Sequence, residues 1–207
     1  MIYILRKEDD EMFNEEEFNK LKENALKRHI PIIMDDTLEK IKEVLKKENP
    51  NRILEIGTAV GYSALCFARY SENAIIDTIE IDEERYNEAI QNLEKIGFKD
   101  RINLILGNAV DIIPTLKNKY DIIFIDAAKS KYSIFLEEAL KLINNNGLIL
   151  ADNVLYKGYV MSDYNKHKQR TAVRHLREYI KEITENEKME TEILDIGDGL
   201  AITRVKL

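Results

Sequence analysis

The chain has 207 residues, 44% of them hydrophobic and 33% charged, with a formal net charge of −7; that length suits one α/β domain with a full core, and no composition break marks a second. No apolar run approaches the roughly 20 residues needed to cross a bilayer, and the opening stretch lacks the order of a signal peptide, so no membrane association and a cytoplasmic location are expected. The negative charge disfavours indiscriminate nucleic-acid binding, and a lone cysteine, Cys66, excludes an internal disulfide and a cysteine-based metal cluster.

Residues 1–30 carry apolar spacing (Met12, Phe13, Phe18, Leu21, Ala25, Leu26) that predicts an amphipathic helical arm ended by Pro31, outside the main fold and available to a partner subunit. A second helix over 35–47 places Leu38, Ile41, Val44 and Leu45 on one face. From Arg52 onward, β-branched runs at 52–57, 75–81, 102–106, 120–126 and 147–152 alternate with amphipathic stretches at 61–70, 83–96, 109–117 and 131–143. That alternation predicts a parallel sheet covered by helices on both faces, with the core sheet spanning 52–207. Cys66 falls in an apolar helical stretch, where core packing is expected. After a loop at 154–165 come a basic helix near 167–184 and two closing runs, 192–196 and 200–205. Their connection through Gly197-Asp198-Gly199 predicts an antiparallel hairpin.

Four apolar runs stop abruptly at glycine, acid or amide: Leu54-Glu55-Ile56-Gly57, Ile79-Glu80-Ile81-Asp82, Ile123-Phe124-Ile125-Asp126 and Ile149-Leu150-Ala151-Asp152-Asn153. In an open parallel sheet such ends converge on one edge, where ligands bind. Gly57, Ala59 and Gly61 let a ligand approach the backbone closely, although the same spacing also serves an ordinary tight βα turn. Glu80, ending the second strand, suits the two ribose hydroxyls of an adenosyl ligand. No phosphate-loop lysine follows the glycines, which favours a nucleoside without phosphates. Asp126, Asp152 and Asn153 form an oxygen-only donor set suited to Mg²⁺, or else are strand-end helix caps. Lys129 beside them is placed to take a proton.

Taken together, Leu54-Glu-Ile-Gly-Thr-Ala-Val-Gly-Tyr-Ser63, Ile79-Glu-Ile-Asp82, Gly107-Asn-Ala109, Ile125-Asp-Ala-Ala-Lys-Ser-Lys-Tyr132 and Ala151-Asp-Asn-Val154 resemble the class I S-adenosylmethionine-dependent O-methyltransferases. The last two motifs mark the cation-dependent group that includes catechol and caffeoyl-CoA methyltransferases. The resemblance implies a Rossmann-like seven-stranded sheet, mostly parallel, whose last strand runs antiparallel. It implies S-adenosylmethionine contacts at Met34, Gly57, Ser63, Glu80, Ala109 and Asp126, a divalent cation on Asp126, Asp152 and Asn153, and Lys129 as the base. Ala59 departs from a glycine common in the wider class, and Val110 from a polar residue of some relatives. A homodimer is the family-based expectation.

Within that group the chain resembles bacterial enzymes that methylate wobble 5-hydroxyuridine of tRNA to 5-methoxyuridine. A small catechol-like or hydroxycinnamoyl acceptor is the alternative, and a non-catalytic cofactor- or RNA-binding module is a second one. The basic segment with Lys166, Lys168, Arg170, Arg174 and Arg177 is placed to hold anticodon-stem phosphates, or is a solvated helix face. Lys131 and Lys157 extend such a patch. His29, His167 and His175 lack metal-ligand spacing and are expected at the surface or in packing, as are Tyr62, Tyr132 and Tyr156 near the pocket.

Overall fold

The computed structural model describes residues 13–163 and 169–207, so Met12, Lys166, His167 and Lys168 lie outside the described residues. Helix α1 (Glu15–Lys27) starts where the Asn14 side chain accepts from the Glu17 amide at 3.1 Å, beneath a first turn of three glutamates that complements the helix dipole. It ends before Pro31 is reached, because His29 turns left-handed at φ 54°. The helix is not a projecting arm. Phe18, Leu21 and Ala25 are buried against the same chain, with Phe18 stacked on Tyr62 at 5.1 Å. Helix α2 (Asp35–Glu48) buries the face expected of it and stops at left-handed Asn49.

The alternating middle follows as β1 (Arg52–Ile56), α3 (Tyr62–Tyr70), β2 (Ile75–Glu80), α4 (Glu83–Ile96), β3 (Ile102–Leu106), α5 (Ala109–Ile112), β4 (Tyr120–Ile125), α6 (Tyr132–Leu142) and β5 (Ile143–Ala151). The chain closes with α7 (Arg170–Glu185), β6 (Met189–Leu194) and β7 (Leu200–Val205). Three elements depart from the sequence expectation. α5 is a single turn continued by a 3-10 turn at 113–115, since Pro114 lacks an amide hydrogen and disfavours helix at the residue before it. β5 begins at Ile143 because the chain pairs at once with Tyr120 and then bulges before Leu148 meets Ile122. The closing hairpin pairs 189–194 with 200–205, so its connection runs over 195–199, wider than the Gly-Asp-Gly triplet.

The strand order is β3-β2-β1-β4-β5-β7-β6, with β7 antiparallel to both of its neighbours and the remaining pairs parallel. β1 and β4 are buried on both faces apart from one partly exposed residue each, Arg52 and Asp121, as strands sandwiched between helices must be. One apolar cluster packs α1 to α4 on one face, and a second packs α5 to α7 on the other. Cys66 lies wholly inside the first, and burial pushes its thiol up to about 12, which leaves it an inert packing group. No helix among the described residues is long and apolar enough to cross a membrane.

Candidate active site

The order in which successive strands are laid down reverses between the parallel strands β1 and β4, and the crevice outside their carboxyl ends is the expected ligand position in such a fold. The backbones close in there: the Asp126 amide donates to the Ile56 carbonyl at 3.0 Å, and the Asp152 amide to the Ile125 carbonyl at 3.0 Å. Gly57 is obligatory at this point. Its φ is +105°, and a Cβ on it would sit 2.1 Å from the Asp126 carbonyl oxygen. Gly61, at φ +86°, opens α3 directly after the turn, while Ala59 adopts φ +47° in a region that side chains disfavour.

A cavity of about 490 Å³ lies over this turn, walled by Gly57 to Ala59, Ser63, Glu80, Asn108, Ala109, Asp126 and Lys129. Five sequence-predicted cofactor contacts, Gly57, Ser63, Glu80, Ala109 and Asp126, therefore share one wall. Glu80 is held by three backbone N–H groups, from Ala59 to Oε2 at 2.7 Å and from Ile81 and Asp82 to Oε1 at 2.9 Å each. A carboxylate has about four acceptor sites, so one at Oε2 is left for a ribose hydroxyl. Met34 is half-exposed (50%), caps α2 and lies near Gly197 instead of on the cavity wall. The segment just before it, Ile30 to Ile33, forms the apolar wall. Sequence reasoning missed that segment along with Arg85 and Phe135; the Ile-Pro-Ile-Ile run after α1 was the available signal.

Beneath the turn, the Thr78 hydroxyl donates to Glu55 Oε2 at 2.6 Å and lies 2.5 Å from the Thr58 hydroxyl. Burial pushes the Glu55 carboxyl up to about 7, against the pull of the Ser63 and Thr78 hydroxyls. The motif's first acid is thus shifted inside the fold from an ordinary carboxyl toward neutral pH.

At the next strand ends, Asn153 Nδ2 donates to Asp126 Oδ1 at 3.1 Å, and the Asn153 amide donates to Asp152 Oδ1 at 2.8 Å. Asn153 is left-handed at φ 61°. Asp152 is buried, and enclosure followed by repulsion from Asp126 pushes its carboxyl up to about 7. Burial also raises Asp126, while Lys129 and Asn153 oppose that rise. Two enclosed carboxylates and an amide, short of positive charge, match a hard divalent cation by donor chemistry. No three His, Cys, Asp or Glu side chains among the described residues are grouped so as to hold a metal ion, so the amide of Asn153 is needed to complete the donor set.

Lys129 stands at the cavity wall with its ammonium 5.2 Å from the Tyr156 ring centroid. Tyr132 is buried and donates from its hydroxyl to the Asp152 carbonyl at 2.8 Å, bracing the β5 end from below. Of the basic candidates, Lys131 lines the cavity, Lys157 is exposed, and Arg170 and Arg174 are exposed on α7, which packs against the 129–131 turn. Arg177 is committed elsewhere, donating to the carbonyls of Tyr159, Val160 and Ser162.

Residues 8–206 match the family model described as O-methyltransferase. A catechol O-methyltransferase from Niastella koreensis is 33% identical over 164 residues, which make up 74% of this chain and 73% of that protein. The solved structure of a candidate caffeoyl-CoA O-methyltransferase from Staphylococcus aureus is 36% identical, with a TM-score of 0.86 and 91% of each chain covered. The SAH-bound methyltransferase PaMTH1 of Podospora anserina is 25% identical, with a TM-score of 0.72 over the whole of both chains. With its motifs gathered at one sheet edge and the family model spanning nearly its full length, the chain belongs to the O-methyltransferase family of S-adenosylmethionine-dependent enzymes.

Proposed function

We propose that this chain transfers a methyl group from S-adenosylmethionine to a hydroxyl that has a second oxygen beside it, at a divalent-cation site formed by Asp126, Asp152 and Asn153. The observation that carries this reading is the enclosed, undercompensated carboxylate pair, of which Asp126 lines the cavity. A cation bound there supplies Lewis acidity that lowers the pKa of the acceptor hydroxyl. The chain's own residues do the rest. Glu80 accepts from the ribose, Ser63 meets the methionine carboxylate, and the backbone at Ala109 borders the adenine. Ile30 to Ile33 and Phe135 exclude water from the cofactor, and Lys129 takes the acceptor proton.

The acceptor is wobble 5-hydroxyuridine of tRNA in this reading, whose ring hydroxyl and carbonyl are adjacent. Lys131, Lys157, Arg170 and Arg174 around the site support it, since a phosphate backbone needs a basic rim. A cytoplasmic homodimer belongs to the same proposal. The similarity to a catechol O-methyltransferase favours a second reading, a small catechol-like acceptor.

Labelled S-adenosylmethionine, offered with tRNA rich in 5-hydroxyuridine and separately with a catechol, decides between them. Label in 5-methoxyuridine that a chelator abolishes supports the tRNA reading; label in the catechol alone replaces it with the second. Changing Lys168 and Arg170 to alanine is expected to weaken tRNA binding and lower its salt slope by about 2. An unchanged slope removes those residues from the RNA surface.

A further inference from the structure

The 195–199 turn between β6 and β7 is bound to two other parts of the chain at once. On one side, the Gly197 amide donates to Asp36 Oδ2 at 2.8 Å, while Asp36 Oδ1 accepts from the Thr37 amide at 2.8 Å. These two N–H groups, that of Gly197 foremost, hold the Asp36 carboxyl below its usual range. On the other side, the Asp198 carbonyl accepts from the amides of Leu155 and Tyr156 at 2.9 and 3.0 Å, and the Gly199 carbonyl accepts from Val154 at 3.0 Å. Those three amides directly follow Asn153.

The loop they hold is strained. Asn153, Tyr156 and Lys157 all have positive φ, at 61°, 44° and 57°. Side chains stay in that region only when their surroundings dictate it. The fit of the turn is close: a Cβ on Gly199 would lie 2.4 Å from Leu155 Cγ, and one on Gly197 would lie 2.5 Å from Thr37 Oγ1. The loop is thereby shaped by the turn, and the turn is tethered to the start of α2.

We propose that Asp36 is a positioning residue: by holding Gly197 it clamps the 195–199 turn, whose carbonyls keep residues 153–156 in the conformation that presents Asn153 to Asp126. This rests on the reading of Asp126, Asp152 and Asn153 as a cation site. The tether is charge-assisted, which makes it stronger than a neutral hydrogen bond, and it spans 161 positions of sequence.

The test uses the full chain as wild type, Asp36→Ala and Asp36→Asn, with Mn²⁺ as the probe cation. Mn²⁺ affinity is read by electron paramagnetic resonance, S-adenosylhomocysteine affinity by calorimetry, and amide hydrogen exchange at 154–156 by mass spectrometry. Asp36→Ala is expected to weaken Mn²⁺ binding about 3- to 10-fold and to speed exchange at 154–156 by a similar factor, the scale of one lost hydrogen bond to an exposed carboxylate. Asp36→Asn keeps an oxygen acceptor and restores both to within about twofold, and S-adenosylhomocysteine affinity stays within about twofold throughout. Unchanged exchange at 154–156 in Asp36→Ala overturns the clamp, as does a parallel loss of both affinities and of Tm in both variants. Should wild type bind no Mn²⁺ that Asp126→Ala abolishes, the cation reading fails by itself, and exchange at 154–156 still decides the clamp.

Discussion

Glu80 and the Asp126–Asp152 pair all sit at carboxyl ends of strands in one sheet, yet the fold surrounds them with hydrogen-bond donors very unequally. Glu80 receives three backbone N–H groups, which fill most of its acceptor sites. Asp126 and Asp152 stand close enough to repel, receive one hydrogen bond apiece from Asn153, and are both driven toward the neutral form. The cofactor end is finished by the chain itself. In the proposed reading the other end is left for a cation to finish, and a site of that kind gives up stability for function.

The variant that breaks this contrast most severely is Asp152→Asn. Turnover is expected to fall by about 10³-fold or more, since removing one donor weakens both cation binding and acceptor orientation. The same change is expected to raise Tm in chelator at pH 8. Its sign follows from Asp152 having a folded pKa of about 7, above its ordinary 3.8: the stability this group contributes is full below 3.8 and lost as pH rises through 7. Lost activity accompanied by a lower Tm at pH 8 would contradict the reading of an undercompensated pair.

Lys129→Ala comes next, with kcat lowered by about 10²- to 10³-fold and S-adenosylhomocysteine affinity unchanged, because general-base catalysis is worth about that much. An equal loss in both would move Lys129 from proton transfer to cofactor binding. Glu55→Gln sharpens the contrast from the cofactor side, where burial raises one acid toward neutral pH. A carboxyl at about 7 in the fold against an ordinary 4.5 amounts to roughly 3 kcal/mol of pH-linked stability. It is present below 4.5 and lost as pH rises through 7. Denaturant titrations in chelator should therefore show Glu55→Gln gaining on wild type between pH 5 and pH 8, and parallel stability curves would refute a raised Glu55. The smallest effect is expected from Ala59→Gly. Relief of the left-handed alanine at φ 47° is worth about 1 kcal/mol, partly offset by the greater freedom of glycine when unfolded. A loss of stability would show that the Ala59 methyl group packs usefully in the turn.

Strand ends were legible in the sequence because each apolar run stops at a polar residue whose role depends only on sheet topology. Gly57, Ser63, Glu80, Ala109 and Asp126 accordingly meet at one cavity, and Asp152 and Asn153 adjoin it. What was not legible depends on contacts remote in sequence. The tether between Asp36 and Gly197 has no local pattern, and Met34 differs from its neighbour Ile33 only in which way the chain turns into α2. Local chemistry was also underread in places. Pro114 shortens α5, and left-handed His29 ends α1 ahead of Pro31. The hairpin shifted because Met189 is buried as the inward residue that opens β6, a pattern masked by the acidic residues around it.

The most direct test of an unfinished carboxylate pair is a calorimetric titration of Mn²⁺ into wild type and Asp152→Asn at pH 7 and pH 8. The account predicts one saturable site in wild type, proton release on binding that is larger at pH 7 than at pH 8, and no such site in the variant. No saturable site in wild type, or equal binding by the variant, would contradict it.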